Sequence, residues 1–265
     1  MRHSLAVILL LTLTACSLLD PLPDGSEPTA LLSAEQLYDQ AKAELDDGNY
    51  GTAITLYEKL QSRYPYGRYA QQALMELAYA NYRQGEAETA ISAADRFIKQ
   101  YPNHPHIDYA YYVKGLANFG GEVSLLKSLG GQDPTERDPK AAQEAFAAFR
   151  DLVTRFPDSK YAPDSRVRMQ YLVNALARYE LHVARYYLRR GAHIAAVNRA
   201  QGVLTLYPNS PSTRDALEVM VQGYDAMGMT DLRDDARRVL AENSPAGEVA
   251  AGEAEPGKTW WQFWK

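Results

Sequence analysis

The 265-residue chain has one cysteine, three tryptophans and no surplus of positive charge. A lone cysteine excludes an internal disulfide, so packing alone must hold the fold. Lysine and arginine number 28 against 33 acids, a formal net charge of −5. That balance excludes nucleic acid as a bulk electrostatic partner, because phosphate binding calls for a basic face. After residue 13 no run is apolar enough for a membrane span of roughly 20 residues. Strand-like alternation never persists beyond a few residues. Catalytic signatures are missing as well. The pairs Gly120-Gly121 and Gly130-Gly131 match neither a phosphate loop nor a dinucleotide turn. There is no nucleophile elbow and no zinc-protease motif. His104, His106, His182 and His193 have no cysteine beside them. His104-Pro105-His106, the nearest thing to half a metal site, has no acidic partner at ligand spacing. The expectation is a protein with no enzymatic activity, no metal and no cofactor.

What is present begins at the N-terminus. Arg2 is followed by an apolar run, LAVILLLTL from Leu5 to Leu13, and then by Thr14, Ala15 and Cys16. The run is too short to remain as a spanning helix, and reads as a signal segment. Leu13-Thr14-Ala15-Cys16 resembles the lipobox of bacterial lipoproteins, the alternative being an ordinary signal peptide with an incidental cysteine. The resemblance implies cleavage before Cys16, acylation of its thiol and new amino group, and sorting to the outer membrane, since Ser17 rather than Asp follows. Residues 1–15 are thus expected to be removed. That takes one basic residue and no acid, leaving 27 bases against 33 acids, a charge of −6. Residues 16–32 (CSLLDPLPDGSEPTALL) show no period and read as a tether.

From Ser33 onward apolar residues recur at three and four, and the body is expected to be all-α. It also repeats. Aromatic-Pro pairs stand at Tyr64-Pro65, Tyr101-Pro102, Phe156-Pro157 and Tyr207-Pro208, with Pro245 after Asn243-Ser244. Gly48, Gly85, Gly191 and Gly228 each lie 17 residues before a proline of this series. In the third unit that position is Lys140. Successive prolines are 37, 55, 51 and 37 apart, so 37 is the basic unit and the third and fourth carry insertions. The physical reading is a helix-turn-helix repeat. Glycine ends helix A in a left-handed conformation, and proline blocks continuation of helix B. Five residues past the glycine position comes Ala53, Ala90, Ala145 or Ala196, with Arg233 breaking the series; seven before it comes Ala41, Ala78, Gly115, Ala184 or Val221. These small positions let helices approach closely. Twelve past it, Leu60, Phe97, Leu152, Val203 and Leu240 should form the buried seam of helix B.

The pattern resembles the tetratricopeptide repeat, and the expected fold is an all-α tetratricopeptide-repeat solenoid of five helix-turn-helix repeats at 33–65, 66–102, 103–157, 158–208 and 209–245. In such stacks the A helices line the concave face. Two departures are expected: a long loop over Gly120–Asp138, and one long helix over Asp164–Arg190. Residues 246–265 form a tail, small and acidic before it ends in KTWWQFWK, which holds every tryptophan. That end suits a membrane interface or a groove on this chain or a partner.

Binding residues are suggested by type and offset. Tyrosines gather on the A helices: Tyr38, Tyr79, Tyr82, Tyr109, Tyr111 and Tyr112. Of these, Tyr38, Tyr79, Tyr82 and Tyr112, with Lys42, Leu45 and Met75, fall at offsets that face the groove in this repeat class. They are the candidate client-peptide groove, since tyrosine joins a flat apolar ring to a hydrogen-bonding tip; the competing reading is that the rings fill the core between repeats. Arg178, Arg185 and Arg189 are spaced by seven and four along the long helix, with Arg190 and Arg199 nearby. They are either a solvated helix face or a docking ridge for an acidic partner surface.

Signal, lipobox, tether and repeats together resemble the BamD (ComL) family of outer-membrane assembly lipoproteins. The segments carrying the resemblance are HPHIDYAYYVKGL (104–116), DPKAAQEAFAAFRDLVTRFPDSKYAPDSRVRM (138–169), ARYYLRRGAHIAAVNRAQGVLTLYP (184–208) and TRDALEVM (213–220); the tryptophan tail is not part of the pattern. The resemblance implies a lipid-anchored, non-enzymatic subunit of the β-barrel assembly (BAM) machinery on the periplasmic side of the outer membrane. C-terminal repeats would dock the periplasmic POTRA domains of the barrel subunit BamA, N-terminal repeats would receive unfolded outer-membrane proteins, and the lipoproteins BamC and BamE would contact the N- and C-terminal parts. It also implies that Arg199, in AAVNR, pairs with an acidic POTRA residue; Arg185 and Arg189 join it as docking candidates. The rival reading is another periplasmic repeat adaptor, serving cell-wall or Tol machinery.

Overall fold

The computed structural model describes residues 32–128 and 139–243. Expectations for the signal, Cys16 and most of the tether, for 129–138 and for the aromatic tail lie outside the described residues. The described residues form ten helices and no strand. They are α1 (Ala34–Asp46), α2 (Tyr50–Arg63), α3 (Arg68–Gln84), α4 (Ala87–Gln100), α5 (Ile107–Ser128), α6 (Lys140–Arg155), α7 (Ala162–Arg189), α8 (His193–Leu206), α9 (Ser212–Ala226) and α10 (Thr230–Glu242). In chain order they make five helix-turn-helix repeats of the tetratricopeptide type. By compactness the chain divides into two units between Leu77 and Ala78, inside α3.

The glycine spacing has a hydrogen-bonding cause. After α1, Gly48 takes φ +82°. Its N–H donates to Leu45 O at 3.1 Å, and the Asn49 N–H donates to Glu44 O at 2.8 Å. This double closure of the last helical turn needs a left-handed residue at its centre. Gly85, Gly191 and Gly228 repeat it after α3, α7 and α9. The aromatic-Pro pairs have a cause too. Tyr64, Tyr101, Phe156 and Tyr207 cap α2, α4, α6 and α8 with φ from −127° to −133° and ψ from 51° to 69°. They leave the helical region because the following proline ring excludes it. Each N–H still donates to the carbonyl four residues back, on Leu60, Phe97, Leu152 and Val203. Those four are the seam residues, and all are 0% exposed.

In the first unit, Ser33 begins α1 with a reciprocal cap: its Oγ accepts from the Gln36 N–H at 3.2 Å, and Gln36 Oε1 accepts from the Ser33 N–H at 2.9 Å. Such a cap contributes about 1 kcal/mol. Leu37, Ala41 and Leu45 of α1 are buried, as are Ala53, Tyr57 and Leu60 of α2. In the second unit the small positions do what their size allows. Ala90, Ala145, Ala184 and Ala196 are 0% exposed. Gly115 sits so close to α6 that a Cβ there would stand 2.4 Å from the Phe149 ring. Gly223 of α9 approaches α8 in the same way, a Cβ falling 2.6 Å from Val197 Cγ2.

Two expectations need correction. The stretch Gly120–Asp138 is not all loop: α5 continues through Ser128, because Glu122, Leu125, Leu126 and Lys127 are strong helix formers that offset the cost of Gly120-Gly121. Leu240 is only half-buried, unlike the other four seam residues; it lines an open cleft with Leu204, Leu217 and Val239. Arg233, at a small position, is accommodated by an ion-pair cluster, its guanidinium reaching Asp225 at 2.9 Å and Asp234 at 2.8 Å. The long helix is present as Ala162–Arg189, 28 residues with proline only in its first turn.

Candidate functional site

The groove residues fall in both units. In the first, Tyr38 of α1 is half-buried, its ring 6.0 Å from Tyr57 and 5.6 Å from Tyr69. Lys42, one turn on, pairs with Asp46 at 2.5 Å. Met75 is half-buried on α3. Leu45 differs: at 5% exposed it is a core residue and offers almost no surface to a passing peptide.

The same unit holds two strained polar groups that the sequence reading did not single out. The Tyr57 hydroxyl is buried without a hydrogen-bond partner. Glu76, half-buried near it, is held above the usual carboxylate range by burial; Asp46 adds to the effect and Lys42 opposes it. Burial also pushes Tyr38 up to about 12, with Glu76, Asp39 and Asp46 contributing. Because Glu76 binds its proton more tightly when folded, its contribution to stability is complete below the ordinary carboxylate pKa. It is lost as pH rises through the folded value. Glu76→Gln should therefore flatten the fall in stability as pH rises above the ordinary carboxylate pKa and raise the melting temperature at neutral pH. Thermal unfolding across that range checks it. A variant less stable than the parent at pH 7 would mean that the Lys42 attraction outweighs the cost of burial.

In the second unit the tyrosines form a run of ring contacts. Tyr79 lies 6.4 Å from Tyr82 and 6.3 Å from Tyr109; Tyr109 lies 5.3 Å from Tyr161, which stacks on Tyr112 at 4.6 Å and 18°. Arg83 donates to the Tyr79 hydroxyl at 2.7 Å. The Tyr112 hydroxyl donates to Asp164 at 2.8 Å, and Arg168 holds the same carboxylate at 2.6 Å. Burial first, and that bond second, keep Tyr112 a neutral phenol. Tyr111 is different, being 6% exposed and packed against Phe156 as a core ring. Tyr161 completes the run from outside any A helix, which is why counting along A helices missed it.

The arginines do not form one patch. Arg199 of α8 places its guanidinium 2.9 Å from Glu180 on α7, and this bond and charge raise its pKa further. Arg185 instead pairs with Asp215 of α9 at 2.7 Å. At 100° per residue, Glu180 lies about 200° around α7 from Arg178. The stripe Arg178, His182, Arg185, Arg189 and the Arg199–Glu180 pair therefore occupy opposite faces of that helix. The stripe lines a cleft of about 290 Å³ closed by Leu181, Pro211, Ser212 and Asp215.

Among the described residues no helix is long and apolar enough to cross a membrane, and no group of three or more His, Cys, Asp or Glu is placed to hold a metal. His104 packs edge-on against Phe97 at 5.1 Å and lies 5.8 Å from His106.

The family model YfiO, described as outer membrane lipoprotein, matches residues 32–239. The outer membrane protein assembly factor BamD of Neisseria meningitidis serogroup A is 42% identical over 261 residues, 98% of each chain. BamD of Xylella fastidiosa strain Temecula1 is 40% identical over 81% of this chain and 73% of its own. BamD of Vibrio cholerae is 35% identical over 87% and 96%. Matches of this extent and identity place the chain in the BamD family of outer-membrane assembly factors, to which it belongs.

Proposed function

We propose that this protein is a non-enzymatic scaffold for outer-membrane protein assembly, held on the periplasmic side of the outer membrane by lipid on Cys16. The observation that carries the reading is identity of 42% with an assembly factor over 98% of both chains. The described geometry is of a matching kind. Two chemically unlike surfaces are offered, one of tyrosine rings and one carrying Arg199. Unfolded outer-membrane proteins would present an aromatic-ended segment to tyrosines of the N-terminal repeats, the candidates being Tyr38, Lys42 and Met75 in the first unit and, taken by themselves, Tyr79, Tyr82 and Tyr112 in the second. Half-exposed rings suit that task, since each gives apolar area and a polar tip at low entropic cost. The POTRA domains of the barrel subunit BamA would dock on the face of α7 and α8 that carries Arg199, with BamC and BamE as further lipoprotein neighbours. Joining client and barrel subunit on one anchored chain raises their effective concentration for each other.

Arg199→Glu tests the docking assignment. The change places a carboxylate against Glu180, whose side chain is 19% exposed, a cost to the fold of about 1 kcal/mol. It reverses the charge presented to an acidic partner. Copurification of the barrel subunit from detergent-solubilised outer membrane should drop by about tenfold or more, while the helical circular dichroism and melting temperature stay close to the parent. Undiminished copurification would remove Arg199 from the interface.

A further inference from the structure

We infer that the cleft between α7 and the start of α9 is a binding site for an acidic polypeptide segment carrying two separated carboxylates, distinct from the Arg199 face. The inference does not rest on the docking assignment above, because the two sites lie on opposite sides of α7.

Arg178, His182, Arg185 and Arg189 follow one another at i, i+4, i+7 and i+11, so they share one edge of α7 over about 16 Å. The cleft they line holds three guanidiniums and one carboxylate, Asp215. It keeps two positive charges in excess in a chain whose formal charge is −5. Like charges three or four residues apart repel along a helix. Several arginines elsewhere in the chain are answered locally, although the exposed Arg96, Arg166 and Arg190 are not. Arg214, Arg237 and Arg238 each pair with an acid three or four residues away. In the cleft only Arg185 is answered, by Asp215 at 2.7 Å. Arg178 and Arg189, both exposed, have no acidic partner among the described residues.

The surroundings favour a ligand over plain solvation. The floor is Leu181, 4% exposed, and Ser212 is 7% exposed, so charges at the cleft work against a partly apolar wall. At about 290 Å³ the space is small for a metabolite and large for an ion. The spacing decides between ligand classes. Arg178 and Arg189 are too far apart along the axis to converge on one phosphate. They suit two carboxylates at a similar separation, each free to make a forked pair with a guanidinium. Arg185 sits between them, already positioned by Asp215.

The test uses the soluble mature chain and a labelled Gly/Ser peptide bearing two aspartates five residues apart, which spans about 16 Å when extended. The same peptide with asparagines is the control. Fluorescence anisotropy should show salt-sensitive binding of the aspartate peptide only. The Arg178→Gln/Arg189→Gln double variant should weaken it by about tenfold or more, and Arg199→Glu should leave it unchanged. Asp215→Asn, which removes the competing internal carboxylate, should tighten it a few-fold; a gain of this kind is not produced by damage to the fold. Equal binding of the asparagine peptide, undiminished binding by the double variant, or tighter binding of inorganic phosphate than of the peptide would each overturn the inference. If Arg199→Glu abolishes peptide binding as well, the cleft is not a separate site and the inference fails, whatever becomes of the docking assignment.

Discussion

Phe149→Ala should destabilise the protein by about 3–5 kcal/mol, the range for deleting a buried phenylalanine ring. Phe149 of α6 is 0% exposed and sits among Leu116, Phe119, Ala142, Ala145, Leu172 and Leu176. Its ring is 6.3 Å from Phe119 and 6.2 Å from Tyr112. It therefore joins residues of α5, α6 and α7 in one cluster. The cavity left behind cannot close cheaply, because the nearest backbone, at Gly115, is held in a continuous helix. Domain stabilities run to only about 5–15 kcal/mol, so the change should remove a large share. Urea titration of the mature chain, followed by far-ultraviolet circular dichroism, measures it. A loss under about 1 kcal/mol would mean the cluster repacks freely.

Gly115→Ala should also destabilise, and here the sign is the informative part. In an open helical position glycine-to-alanine stabilises by about 1 kcal/mol through helix propensity. At Gly115 the new Cβ would meet three Phe149 ring carbons at 2.4, 2.6 and 2.8 Å. Overpacking of that kind costs about 1–3 kcal/mol, enough to reverse the propensity gain. Gly202, inside α8, has nothing within 4 Å of its added Cβ. Gly202→Ala should show the ordinary stabilisation, of about 0.5–1 kcal/mol. Opposite signs at the two glycines, from the same denaturation experiment, are the expected result. Because Gly115 and Phe149 touch, combining their alanine substitutions should cost less than the two separate losses together. Additive losses would show that the two do not meet.

How much of this was legible in the sequence follows from what each signal depends on. The repeat was readable because its punctuation is local. Gly48, Gly85, Gly191 and Gly228 each close a helix together with the residue that follows, the glycine N–H donating three positions back and the next N–H five, and proline acts on its immediate neighbour, so a period in the residues reports a period in the backbone. The length of α5 was misread because its continuation depends on the balance between two glycines and the helix formers after them, which no punctuation residue marks. Sites were less legible because they depend on which elements face each other. Lying 14 residues apart, Arg185 and Arg199 look like one ridge in the sequence, yet Asp215 of α9 and Glu180 of α7 draw them to different sides. Tyr161 sits at the junction into α7, where its stacking on Tyr112 is a contact across 49 positions. Leu45 carries a groove offset, but its apolar side chain is taken up by the core.

The unbroken length of α7 has a mechanical consequence. Its 28 residues make a bar of about 42 Å, with Pro163 at its first turn and Gly191 just past its end, and neither proline nor glycine between them. Sharp bends in helices arise at such residues, so this bar has no hinge. A displacement imposed at the edge that carries Arg178 and Arg189 would be shared by the edge that carries Glu180, as movement of one rod rather than a bend between two pieces.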